Sequence, residues 1–225
     1  MLEKHYIEIM EKQLAFMDKL TAEQRALLIK NTSLRYQQVR VMDALDARIE
    51  GAHLILSGVL RVFLMSNEGR EVTLYRLCAG DICMLRILTL LEYMDIRLHI
   101  SVETRCETLT IASAALTQLR QENVYVENFM YHVGMERFVQ VLQTIDRVLL
   151  MGGEKRLAYF LLEETQQMNS EILEMTHSQI ARYVSSVREV ITRQLKGFVE
   201  AGAVEVTRGR VKILDRDKLQ EIVNR

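Results

Sequence analysis

The 225-residue chain contains no proline, so glycine and short polar residues must supply its turns. It has three cysteines, Cys78, Cys83 and Cys106, and no CxxC. Three cannot complete a disulfide framework, which leaves reduced thiols in a cytoplasmic protein as the expectation. An iron–sulfur cluster, which needs four cysteine ligands, is not expected. The five histidines are isolated, with no HxH or HxxxH. A metal site is therefore not expected, and with no nucleophile–base spacing in view neither is an enzyme. No apolar run reaches membrane-spanning length, and MLEKHYIEIMEKQ lacks a cationic flank followed by an apolar core. Neither a membrane partner nor a signal peptide is expected. The net charge of −1 gives no bulk attraction to nucleic acid.

Charge distribution is more informative than its sum. From Thr176 to Lys212 there are seven Lys/Arg and three Asp/Glu, a local balance of +4 that leaves −5 for the remainder. The basic stretch contains THSQIARYV followed by SSVREVITRQLKGFV, which reads as two short helices around a tight corner. Thr176 with Gln179 forms one capping box, and Ser186 with Glu189 predicts a second. Ile180, Ala181 and Val184 share a face of the first helix. On the second, Val187, Val190, Ile191, Leu195 and Phe198 form an apolar stripe, leaving Arg188, Glu189, Thr192, Arg193 and Lys196 opposite. This suits a helix-turn-helix, in which one helix braces and the other offers polar groups to a DNA groove. Arginine can donate twice to guanine, and glutamate can accept from cytosine N4. The plain alternative is a helical hairpin with a solvated charged face. Gly202 then sits where a left-handed cap belongs, and VEVTRGRVKIL alternates around Arg208-Gly209-Arg210, a hairpin with cationic tips. The hairpin favours the winged form.

The run from Met175 to Leu214 resembles the C-terminal domain of the Crp/Fnr superfamily of bacterial transcription regulators. The likeness rests on the Thr176 cap, Arg188-Glu189, Thr192-Arg193 and the wing. The resemblance implies base reading by Arg188, Glu189 and Arg193 and phosphate contact at the first-helix cap. Thr176, Ser178, Arg208 and Arg210 are the expected phosphate anchors, and Ser186, Thr192 and Lys196 complete the DNA-facing set. Two departures stand out: Ser185 replaces the usual corner glycine, and Val187 replaces a common serine. The implied partners are double-stranded DNA, a second copy of the chain, RNA polymerase and an unidentified small-molecule effector.

Residues 2 to 30 read as helical, with Ile7, Met10, Leu14 and Met17 at helical spacing and a capping box at Thr21–Gln24. From about Gln37 to Ile111 the pattern is strand-like. Gly58, Gly69 and Gly80 fall 11 residues apart and separate HLIL, VLRVFLM and EVTLYRLC. Asn67-Glu68-Gly69 is a hairpin turn by composition. Ile96, Leu98, Ile100 and Val102 alternate as a half-buried strand, and ICMLRILTLLEYM is ambiguous, with a short helix as one reading. LSGVLRVF and EGREVTLYRLCAGD resemble the family's sensor domain, a jelly roll related to cyclic-nucleotide-binding domains. The nucleotide-gripping motif is not matched, since Gly80-Asp81 stands where Gly-Glu is usual and Ile96-Arg97-Leu98-His99 where the arginine motif is. Cyclic AMP or GMP is therefore not the expected ligand. Gly80, Asp81, Cys83 and Arg97 are the candidate effector residues. Haem would find His53, His99, Cys78 and Cys83 in or near the roll, but His99 reads as solvent-facing and Cys83 as a core thiol.

SAALTQLRQE predicts a short helix. Met135, Phe138, Leu142, Ile145 and Leu149 then follow 3-4-3-4 spacing, a coiled-coil seam. A helix carrying this seam either packs inside its own domain or pairs with its copy; the resemblance implies a homodimer axis. Two recognition helices would then meet half-sites roughly 34 Å apart in a palindrome. Gly152-Gly153 reads as a helix stop or, preferably, a hinge, and EKRLAYFLLEE packs behind the recognition unit through Leu157, Phe160 and Leu161. The expected organisation is α+β: a sensor roll with N-terminal helices over 1–121, a dimerisation helix and hinge over 122–152, and a winged helix-turn-helix over 153–225. The alternative function is a sensor or scaffold that keeps the fold without binding DNA.

Overall fold

The computed structural model describes residues 2–43, 51–84 and 98–225. Its contacts divide the chain into two compact units: Met1–Met65 with Leu74–Val141, and Ser66–Thr73 with Leu142–Arg225.

In the first unit, helix α1 (Lys4–Gln13), a 3₁₀ turn (Met17–Lys19) and α2 (Ala22–Lys30) precede the strands. The Thr21 box forms: Gln24 N–H donates to Thr21 Oγ1 (3.3 Å) and Thr21 N–H to Gln24 Oε1 (3.2 Å). Among the described residues eight strands follow: β1 (Thr32–Gln37), β2 (Arg40–Asp43), β3 (Ala52–Ser57), β4 (Leu60–Met65), β5 (Glu71–Leu77), β6 (Ile82–Cys83), β7 (Leu98–Val102) and β8 (Cys106–Ile111). They make two four-stranded sheets, ordered β1-β8-β3-β6 and β2-β7-β4-β5. One apolar cluster, with Ile55, Val62, Leu77, Ile100 and Cys106, draws on both sheets. A second lies between the first sheet and the helices, joining Leu54 and Leu109 to Met10, Leu28 and Leu116. Strand β3 feeds both clusters, which is why HLIL reads as an unbroken apolar run.

The strands begin at Thr32, earlier than the expected Gln37. Strand β1 is polar (TSLRYQ) and sits at a sheet edge against β8, so it lacks the apolar alternation that betrays a strand. The turns fall at Gly58, Gly69 and Gly80, all with positive φ. The Asn67-Glu68-Gly69 turn closes through Gly69 N–H to Ser66 O (2.9 Å) and Ser66 N–H to Arg70 O (2.8 Å). Of ICMLRILTLLEYM, the first two residues form β6; residue 85 onward, with Ile96, lies outside the described residues.

Helix α3 (Ser113–Glu122) matches SAALTQLRQE, and α4 (Val124–Leu150) is the long helix. Helix α4 has two apolar stripes. Val126, Met130 and Val133 are buried in the unit's core. Met135, Phe138, Leu142, Ile145 and Leu149 are all exposed, from 45% at Ile145 to 74% at Leu149, and Tyr131 extends that stripe by one more step.

The second unit contains α5 (Gly153–Gln167), β9 (Ile172–Leu173), α6 (His177–Tyr183), α7 (Arg188–Glu200), β10 (Val204–Thr207), β11 (Arg210–Ile213) and α8 (Arg216–Asn224). Its sheet is ordered β10-β11-β9, so the expected two-stranded wing gains a third strand. Leu157 and Leu161 of α5 meet Ile180 of α6, Ile191 and Leu195 of α7, and Leu219 of α8 in one core. Each such fully buried side chain contributes roughly 1.5–3 kcal/mol.

Without proline, α5, α6 and α7 stop in one way. Each is followed by a left-handed residue: Asn169 (φ 46°), Ser185 (φ 52°) and Gly202 (φ 69°). In each case the next amide reaches back five residues: Ser170 to Thr165 O, Ser186 to Ala181 O and Ala203 to Phe198 O, at 2.9–3.0 Å. These are Schellman closures, which satisfy carbonyls that a helix end leaves bare.

Candidate nucleic-acid interface

The helix pair assembles from its ends. At α6, Gln179 N–H donates to Thr176 Oγ1 (3.3 Å) and Thr176 N–H to Gln179 Oε1 (2.8 Å), the expected capping box. The corner then turns on Ser185, buried and left-handed without being glycine. The box expected at Ser186–Glu189 does not form. Ser186 N–H is engaged in closing α6, so α7 starts one residue later, with Val187 as an N-cap that has no side-chain bond. Val187 is also 52% exposed rather than part of the apolar stripe, because an N-cap residue lies outside the helical phase.

The rest of the pattern holds. Ile180, Ala181 and Val184 are buried, as are Ile191, Leu195 and Phe198. Arg188, Glu189, Thr192, Arg193 and Lys196 are exposed on the opposite face of α7. Arg188, Thr192 and Lys196 are four apart, and Glu189 and Arg193 make the adjacent row. Among the described residues, Arg188, Glu189 and Arg193 enter no side-chain hydrogen bond or ion pair. Lys196 approaches Glu200 at 3.8 Å. Thr176 and Ser178 are exposed and Ser186 is half-buried. In the wing, Arg208-Gly209 is the two-residue turn between β10 and β11, with Gly209 at φ 74°. Arg208 is exposed, whereas Arg210 pairs with Glu174 at 2.8 Å.

His177, which the sequence reading passed over, belongs to this face. Its Nδ1 lies 2.9 Å from Thr192 Oγ1, and the Thr192 hydroxyl donates to Arg188 O (2.9 Å). The contact ties α6 to the exposed polar face of α7. Desolvation, and then the Arg188 charge, hold the imidazole below its ordinary range.

The candidate effector residues are less open. Gly80 has φ 93° and donates its N–H to Ile55 O (2.9 Å). Asp81 Oδ2 accepts from Cys78 N–H (2.8 Å) and Oδ1 from Arg137 Nη2 (2.7 Å). Arg137, on α4, also lies near the Tyr75 ring (5.7 Å) and was not foreseen. Burial raises the Tyr75 phenol above its ordinary range. Cys83 is buried, as expected of a core thiol, and burial pushes the Cys106 thiol up to about 11. Arg97 lies outside the described residues. His53 is buried with Nδ1 3.0 Å from Thr110 Oγ1, and His99, expected to face solvent, stacks on Phe63 (5.4 Å between centroids). Among the described residues no group of three His, Cys, Asp or Glu could hold a metal ion, and no helix is long and apolar enough to cross a membrane.

Residues 155–222 match the family described as the Crp-like helix-turn-helix domain. The curated "Cyclic AMP receptor protein" of Thermus thermophilus is 22% identical over 173 residues, 77% of this chain and 79% of that protein. Among solved structures, a transcriptional regulator of the Crp/Fnr family from Eubacterium rectale is similar with a TM-score of 0.85 at 29% identity, covering 95% of this chain and 100% of its own. The "c-di-GMP Responsive Global Regulator CLP" of Xanthomonas campestris shares the fold, with a TM-score of 0.68 at 18% identity, covering 86% and 99% respectively.

Proposed function

Since the chain belongs to the Crp/Fnr superfamily of bacterial transcription regulators, we propose that it acts in the cytoplasm as a homodimer that reads a palindromic operator under the control of an effector. The observation that carries this reading is the face of α7: Arg188, Glu189 and Arg193 stand exposed and unpaired behind a fully buried Ile191–Leu195–Phe198 anchor. Arg188 and Glu189 read bases, Arg193 shares base and phosphate contacts, and Thr192, Lys196 and Ser186 flank them. Thr176, Ser178, Arg208 and Arg210 hold the backbone. Arg210 leaves Glu174 to do so, an exchange that exposure makes inexpensive.

The exposed stripe on α4 supports the dimer. Tyr131, Met135, Phe138, Leu142, Ile145 and Leu149 follow 4-3-4-3-4 spacing, all in water. A seam that regular buries itself against a second copy. The effector is a small molecule in or beside the roll, and it acts by favouring one arrangement of the dimer. Cyclic AMP and cyclic GMP are not favoured, because Gly80-Asp81 and Ile96-Arg97-Leu98-His99 depart from the motif that grips a cyclic nucleotide. RNA polymerase is the proposed downstream partner.

Selection from a random DNA pool tests the reading. An enriched palindrome is expected, and Leu142→Asp should yield monomers whose operator affinity falls by on the order of 100-fold or more. No enriched sequence would favour a scaffold that keeps only the fold.

A further inference from the structure

Gly152-Gly153, the only glycine pair in the chain, suggests freedom between α4 and α5. The backbone does not use it. Neither glycine has a positive φ, and Gly152 sits at φ −58°, ψ 149°, a conformation open to any residue. Gly153 lies close to α7: a Cβ there would stand 3.1 Å from Gln194 Nε2, the end of a flexible side chain.

Arg156, in the first turn of α5, closes the junction. Its Nε donates to Val184 O at 2.7 Å. Its Nη1 lies within hydrogen-bonding distance of Arg147 O (3.2 Å), Val148 O (3.2 Å) and Met151 O (3.1 Å). Arg147 and Val148 lie in the last turn of α4 and Met151 directly follows it, where a helix end exposes acceptors and the dipole favours a cation. Val184 is the C-cap of α6, directly ahead of the left-handed corner that launches α7. One planar guanidinium therefore bridges the end of the long helix and the corner of the helix pair. Burial lowers its affinity for the proton, yet an arginine remains cationic. A second strand of contacts runs alongside: Arg147 of α4 pairs with Glu163 of α5 at 3.5 Å and lies 5.7 Å from the Tyr159 ring.

We propose that Arg156 is a positioning residue that straps the last turn of α4 to the corner ahead of α7. Within the second unit, the recognition helix is then tied to the last turn of α4 instead of swinging at Gly152-Gly153. The proposal rests on the operator-binding reading for its consequence, but not for the strap itself. Geometry selects arginine: its fork reaches carbonyls of two helices at once, which a compact ammonium cannot match.

The test uses full-length protein and its selected operator, with half-site spacing altered by one and two base pairs. One helical turn spans about 10–10.5 base pairs, so each added base pair rotates a half-site by roughly 35°. Wild type should discriminate sharply against altered spacing. Arg156→Met should lose about tenfold of that discrimination while binding a single half-site nearly as well as wild type, and Arg156→Lys should recover part of the loss. A folded, dimeric Arg156→Met with the wild-type spacing preference would overturn the proposal. Hydrogen exchange on the unmodified protein decides the matter even where the variant misfolds. Amides at 148–156 exchanging as slowly as those of α5 support the strap, and exchange as fast as exposed loops refutes it. A selection that returns no palindrome would count against operator binding, while the exchange result would still judge the strap.

Discussion

Two charged clusters behave in opposite ways. On α7, Arg188, Glu189 and Arg193 project into water with no side-chain partner among the described residues. In the roll, Asp81 is held by the Cys78 amide and the Arg137 guanidinium at 2.8 and 2.7 Å. Residues of similar chemistry thus differ in what a ligand must do to reach them. On the proposed reading, the α7 face meets base edges with little to undo, whereas anything addressing Asp81 must first displace a charge-assisted pair. Free groups confer affinity directly; engaged groups couple binding to a rearrangement, which is what an effector site in a regulator requires.

The contrast can be tested from both sides. Arg188→Ala should have the largest effect, about 1–3 kcal/mol at the selected operator with one base position relaxed, and no loss of stability. If affinity for every sequence fell equally, Arg188 would be a phosphate contact and the contrast would weaken. Asp81→Asn should cost less, about 1–2 kcal/mol of folding stability read from the urea midpoint, because it strips a charged acceptor from Arg137. Glu189→Gln should leave that midpoint unchanged. Equal midpoints for the two variants would break the comparison.

The smallest effect belongs to His177. Its native value is depressed, so its contribution to stability is complete above the unfolded value of about 6.5 and is lost as pH falls through the native value. With the ring largely in water, screening keeps the effect well under ~1 kcal/mol. His177→Gln should flatten that acid limb of the stability profile, and an unchanged limb would assign it to another group.

Much of the polar face of α7 was visible in the sequence because the helical period sorts the helix into two sides without help from the rest of the chain. The same local logic placed the Thr21 and Thr176 boxes and the turns at Gly58, Gly69 and Gly80. It failed at a tight corner and where a residue's partner is remote in sequence. Ser186 has the composition of a cap, but the left-handed Ser185 draws its amide into the end of α6, and no spacing rule anticipates that. Arg137 and Arg156 look like ordinary helix-surface cations until folding brings Asp81 and the Val184 carbonyl to them, 56 and 28 residues away in the chain. Strand β9 has two residues and β1 is polar, so neither carries a periodic signal.

The proposed seam on α4 and the proposed reading face on α7 use different residues, and that division has a genetic consequence. An allele damaged at Arg188 retains an intact seam. In a cell making both forms in equal amounts, only about a quarter of the proposed dimers would carry two sound recognition helices. Such an allele would be dominant, suppressing its normal neighbour, whereas an allele damaged at Leu142 would be recessive, because its product could no longer find a partner to poison.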